Sequence, residues 1–98
     1  MVATVRAVLP GELESAAAMR AQMAVEMGRG WDDRYPGWRE RFAEYWRARQ
    51  RAGTAQVFFA EEAGRLAGMA IVSLVDDYRS AAFLEPRGYV NGVYVVPL

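Results

Sequence analysis

Taken at about 100° per residue, Leu13, Ala16, Ala17, Met23, Ala24 and Met27 fall in one apolar stripe about 120° wide. That pattern predicts an amphipathic helix. Pro10-Gly11-Glu12 opens it, because Pro suits a first helical turn and Glu12 and Glu14 sit at the positive end of the dipole. Gly28 closes it. Arg20 lies inside the stripe and breaks the pattern. A second helix is predicted from Trp38 to Ala52, with Gly53 as its cap. Its apolar stripe is Trp38, Phe42, Tyr45 and Trp46, opposite Glu40, Glu44, Arg47 and Arg51.

Strands are predicted on either side of the helices. Val2 to Leu9 reads as the first. Gln56 to Glu61 and Leu66 to Val75 form a β-hairpin around Glu62-Ala63-Gly64-Arg65. Gly68 inside the second of these implies a bulge or a close backbone approach. Asp76 to Arg87 reads as a polar loop, and Tyr89 to Val96 as the last strand. The order is β-α-α-β-β-β, an α+β fold with a mostly antiparallel sheet. No repeat, low-complexity tract or linker divides residues 1–98, so a single domain is expected.

Composition narrows the chemistry. Twelve basic and twelve acidic residues cancel, which leaves no basic footprint for nucleic acid or an anionic membrane. All twelve cations are Arg, and the absence of His and Cys excludes imidazole catalysis, thiolate nucleophiles, disulfides and the commonest metal ligands. No metal site is expected, since the Asp pairs 32–33 and 76–77 are chain neighbours that rarely converge. The N-terminal MVATVRAVLP lacks the long apolar run of a leader or a span, which needs about 20 residues. A soluble, cytoplasmic protein is expected.

Four stretches, taken together, resemble the first half of a GCN5-related N-acetyltransferase (GNAT). Val5-Arg6-Ala7 with Pro10-Gly11-Glu12-Leu13 resembles the family's first strand and the start of its first helix. Phe58-Phe59-Ala60-Glu61-Glu62-Ala63-Gly64-Arg65-Leu66-Ala67-Gly68 resembles its second and third strands. Tyr89-Val90-Asn91-Gly92-Val93-Tyr94-Val95 resembles its fourth, and Val96-Pro97 is similar to the step out of that strand. In the family a basic, Gly-rich loop follows and opens a helix that holds the pyrophosphate of acetyl-CoA, as helix N-termini hold anions. This sequence stops at Leu98 before such a loop. The resemblance therefore implies a domain cut short after its fourth strand, which is why the chain ends on GYVNGVYVVPL.

The resemblance implies acetyl transfer from acetyl-CoA to a small amine or a protein N-terminus. Pantetheine would pair with the backbone of Val93, Tyr94 and Val95 like an added strand. By strand alternation Asn91 shares a face with Tyr89, Val93 and Val95, where it is either a group that orients water or substrate or an ordinary polar edge residue. Trp31, Asp32, Asp33 and Tyr35 correspond to the acceptor-pocket region. They would bind a cationic amine through charge and cation–π contact, or Asp32 or Asp33 would instead cap the second helix. Asp76-Asp77 allows the same two readings or a solvated loop. Arg20 either snorkels, finds a structural partner, or faces the acceptor cleft. The tyrosine that usually protonates the leaving thiolate lies on a later helix of the family. Binding of acetyl-CoA by this chain alone is expected to be weak or nil.

A non-catalytic binding or dimerisation module that keeps the half-fold is the competing reading. In either case Gly88 to Leu98 would present an unpaired edge, with Val90, Tyr94 and Val96 exposed on one face and Val93 and Val95 on the other. Pairing with a second copy or with a complementary C-terminal half is expected there.

Overall fold

A computed structural model describes residues 3–97. Strand β1 is Thr4–Ala7, helix α1 Leu13–Glu26, helix α2 Trp38–Arg51, and strands β2 and β3 are Ala55–Glu62 and Arg65–Leu74. A short helix α3, Tyr78–Phe83, precedes strand β4, Gly88–Val95. The strands form one sheet in the order β1-β2-β3-β4, with every neighbouring pair antiparallel. The expected α+β architecture is observed.

Alternation along the strands gives the sheet two unlike faces. Val57 and Phe59 of β2, Met69 and Ile71 of β3 and Tyr94 of β4 share one face and are buried with Leu13, Ala16 and Met19 of α1 and Ala43 of α2. This is the core. The opposite face carries Val5, Phe58, Ala60, Ala70, Val72, Val90, Val93 and Val95, by the same cross-strand register. It is apolar, yet Val90, Val93 and Val95 are 57%, 59% and 73% exposed.

Turn chemistry explains the hairpin. Ala63 and Gly64 both have positive φ, at 52° and 75°, which suits a two-residue turn whose twist matches the flanking strands. The bulge or close approach expected at Gly68 is present as both. Ala60 pairs with Gly68 but Glu61 with Leu66, leaving Ala67 as the extra residue. A Cβ on Gly68 would lie 2.8 Å from the Tyr94 carbonyl oxygen. Any side chain there would push β4 away.

Several boundaries and stripes differ from expectation. The first strand is shorter than Val2 to Leu9, and Val2 lies outside the described residues. The chain enters α1 through a 3-10 turn at Pro10–Glu12, where the Glu12 carboxylate accepts from the Leu9 amide at 2.9 Å and pairs with Arg6 at 2.7 Å. In α1, Met19 and Ala21 are buried while Met27 is 57% exposed, because α1 packs on α2 as well as on the sheet and so buries a wider arc over fewer turns. In α2, Ala43 is buried and Tyr45 is exposed. The segment Asp76 to Arg87 is not simply a loop. Asp77 caps α3 by accepting from the Ser80 amide at 2.8 Å and pairs with Arg87.

Candidate functional site: the β4 edge and the aromatic end of the helices

Among the described residues β4, like β1, is an edge of the sheet, and one residue in it is out of step. Ile71 pairs with Gly92 and Val72 with Val90, so Asn91 is the extra residue of a β-bulge. The bulge inverts the expected alternation. Tyr89 pairs with Ser73 and turns to the helix-covered face, while Val90 joins Val93 and Val95 on the open face. Asn91 therefore does not share a face with Val93 and Val95. Its Nδ2 donates to the Ser73 hydroxyl at 2.8 Å and to the Tyr89 carbonyl at 3.3 Å. Its amide oxygen is the atom left for a water or a substrate.

Past the bulge the ladder is regular. The Val96 amide donates to the Ala67 carbonyl at 2.8 Å, and antiparallel pairs alternate between bonded and non-bonded partners. The backbone groups of Gly92 and Tyr94 thus turn toward β3, and those of Val93 and Val95 toward the open edge. Of the three residues expected to be exposed on one face, only Val90 is: Val96 is partly buried against the core, and Tyr94 is buried in it. Its side chain is 6% exposed and packs in the core opposite α1. Burial, with the nearby Glu26 carboxylate adding to it, pushes its hydroxyl up to about 12. That hydroxyl is buried without a hydrogen-bond partner. Alternation places Tyr94 opposite Val93 and Val95 but does not show that α1 covers that face and brings Glu26 near.

The second group lies where α1 ends and α2 begins. Trp31 and Trp38 meet edge to face with ring centroids 5.0 Å apart, and Trp38 meets Phe42 in the same way at 5.9 Å. The Arg20 guanidinium lies over the Trp31 ring, 4.1 Å from its centroid. Arg20 and Trp31 are brought together although eleven positions separate them in sequence. Burial lowers the Arg20 pKa from its ordinary value, and Nη1 is buried with no hydrogen-bond acceptor.

The loop carboxylates are arranged differently from either expectation. Gly37, with φ of 79°, is the N-cap of α2, so neither Asp32 nor Asp33 caps it. Asp32 accepts from the Trp38 indole at 2.9 Å and from Arg39 at 2.9 and 2.7 Å. The Arg39 guanidinium and then the indole hold its carboxyl below the usual range. Asp32 thus fixes Trp38 in place. Asp33 and Tyr35 are exposed, with Arg34 5.9 Å from the Tyr35 ring. The Asp32–Trp38–Arg39 link, which local sequence signals could not reveal, spans seven residues across a glycine-capped turn.

No family model and no curated protein matches the sequence. Solved structures do match in shape. A predicted acetyltransferase from Clostridium acetobutylicum, determined with acetyl-CoA, superposes with a TM-score of 0.78 at 14% identity over 98% of this chain and 61% of its own. A GCN5-related N-acetyltransferase from Ralstonia eutropha JMP134 gives 0.75 at 21% identity, over 98% and 63%. A possible acetyltransferase from Clostridium difficile 630 gives 0.67 at 13%, over 97% and 58%. The chain spans about three-fifths of the length of these proteins. Its strand order, paired helices and antiparallel sheet are those of one part of the GCN5-related N-acetyltransferase fold.

Proposed function

We propose that this chain supplies the acceptor-side half and the pantetheine-pairing strand of a GNAT-type N-acetyltransferase, which moves an acetyl group from acetyl-CoA to a small amine or a protein N-terminus. The observation that carries the reading is the open β4 edge, where Val93 and Val95 turn their backbone groups outward. An extended pantetheine arm adds to such an edge as a strand would. The acetyl-CoA found with one fold neighbour supports the choice of co-substrate.

In the reaction, the neutral amine nitrogen attacks the thioester carbon, the C–N bond forms, and the C–S bond breaks to release the thiolate. A backbone N–H at the β4 edge would steady the negative charge that develops on the carbonyl oxygen. Asn91 has no basicity, so its amide oxygen would orient the amine or a water that takes the amine proton. Trp31, Asp32, Asp33, Tyr35 and Arg20 would shape the acceptor side, with Asp32 acting through Trp38. The reading places the protein in the cytoplasm, where acetyl-CoA is available. No helix among the described residues is long and apolar enough to cross a membrane.

Affinity of this chain for acetyl-CoA is expected to be weak, because a few edge amides contribute only about 1 kcal/mol each. NMR titration is the test. Acetyl-CoA should shift the Val93 and Val95 amides first, and shifts absent there at millimolar ligand overturn the reading. The alternative, a non-catalytic pairing module, draws support from the exposed Val90, Val93 and Val95. It predicts association with a second copy, or with a complementary C-terminal half, through Gly88 to Leu98, and no response of these amides to acetyl-CoA.

A further inference from the structure

Arg20 sits where an inner helix face ordinarily places a leucine. Leu13, Ala16, Ala17 and Ala24, which flank it on α1, are all buried. Four arginines among the described residues, Arg6, Arg39, Arg47 and Arg87, reach carboxylates, and Arg20 is not one of them. The acid on the loop that carries Trp31 offers no partner, because Asp32 is held by Arg39 and Trp38. A cation in apolar surroundings is costly unless an acceptor satisfies it. Trp31 compensates the face of the guanidinium. It does nothing for the edge, where the N–H bonds lie in the plane and Nη1 has no acceptor. What remains is a directional demand for a negatively charged oxygen.

We propose that Arg20 and Trp31 form a carboxylate-binding subsite, so that the acceptor is an amine that also bears a carboxylate, such as an amino acid. The name acceptor rests on the acetyltransferase reading, whereas the subsite itself does not. A guanidinium fork matches the two oxygens of a carboxylate, and the indole 4.1 Å away holds the group in place. The Arg20 side chain as a whole is only partly buried although Nη1 is closed off, and residues 28–37 are exposed apart from Trp31. A ligand therefore meets the guanidinium from the loop side and takes Nη1 by a small turn of the side chain. With Asp32 neutralised by Arg39 at 2.7 Å, the loop does not repel a carboxylate as two free acids would.

The test uses the intrinsic fluorescence of the chain, titrated with phenylalanine, phenethylamine, phenylacetate and inorganic phosphate in the absence of acetyl-CoA. The three organic probes share one ring and differ in charge. Phenylalanine and phenylacetate should quench with similar affinity, and phenethylamine should bind about tenfold or more weakly. The signal should vanish in Trp31→Phe. Arg20→Leu should weaken both carboxylates about tenfold or more while the thermal melt shows a folded chain. Arg20→Lys, which keeps the charge without the fork, should do the same and serves if the leucine variant does not fold. Equal binding of phenethylamine, tighter binding of phosphate than of either carboxylate, undiminished binding in a folded Arg20 variant, or no response to either carboxylate overturns the proposal. Because acetyl-CoA is left out, such a result leaves acetyl transfer to its own test at Val93 and Val95.

Discussion

A guanidinium on an apolar helix face costs stability through desolvation and recovers part of it by stacking on an aromatic ring. Arg20 does both, and it has no carboxylate partner among the described residues. Arg20→Leu is therefore expected to change unfolding stability by less than about 1 kcal/mol, or to raise it. Urea denaturation checks this, and a loss of several kcal/mol would mean a buried acid had been left unpaired. Glu12 behaves oppositely. Hydrogen bonds from Arg6 and then from the Leu9 amide hold its carboxyl down at about 2 against an ordinary 4.5. A depressed acid stabilises the fold above its unfolded pKa, and that stabilisation is lost as pH falls through the folded one. The melting temperature should decline between pH 4.5 and pH 2. Glu12→Gln should lower it at neutral pH and flatten that decline, whereas an unchanged profile would show that the Arg6 pair carries no linkage.

At the scale of elements, β4 concentrates the differences between pattern and structure. A single bulged residue, Asn91, moves Val90 onto the open face with Val93 and Val95, while Tyr94, on the opposite face by plain alternation, is buried under α1. Tyr94→Phe removes a buried hydroxyl that has no partner, so it should be neutral or stabilising by about 1 kcal/mol. Tyr94→Ala should cost about 3–5 kcal/mol, as large aromatic truncations in a core do. Chemical denaturation of the two variants distinguishes the core placement from an edge placement, at which both changes would be small. A charge at position 94 would report folding rather than edge association. The first helix shows the milder form of the same effect. Its apolar period was legible, but which residues ended deepest depended on α2 lying beside it: Met19 and Ala21 in, Met27 out.

At the scale of the molecule, one face of the sheet is covered by two helices and, among the described residues, the other is not. The open face is largely apolar from Val5 to Val95, with Gln56 among its few polar residues, and large exposed apolar patches mark interaction surfaces. The chain is therefore expected to associate. Light scattering should give a mass above 11.0 kDa at high micromolar concentration. Val93→Lys, which places a charge on the open face and leaves the core untouched, should shift that mass toward the monomer without lowering the melting temperature. A monomer in both cases would show that the face stays solvated.

Local signals in the sequence determined the order of the four strands and the two long helices, the α+β class, the hairpin and its turn, and the resemblance to an acetyltransferase half-fold. These rest on period, on glycines with positive φ, and on which residues adjoin in the chain. Arg20 stood out as an anomaly for the same reason, since it breaks a period. What the anomaly meets was decided only by tertiary structure: Trp31 stacks on it because two helices fold back and bring the loop over α1. Asp32 could be read from sequence as a cap or as a ligand. It is neither of these by geometry, because its partners, Trp38 and Arg39, lie beyond the turn made at Gly37. The phase of β4 was likewise out of reach of alternation. A bulge is a mismatch between two strands, and one strand's sequence does not record the other's register.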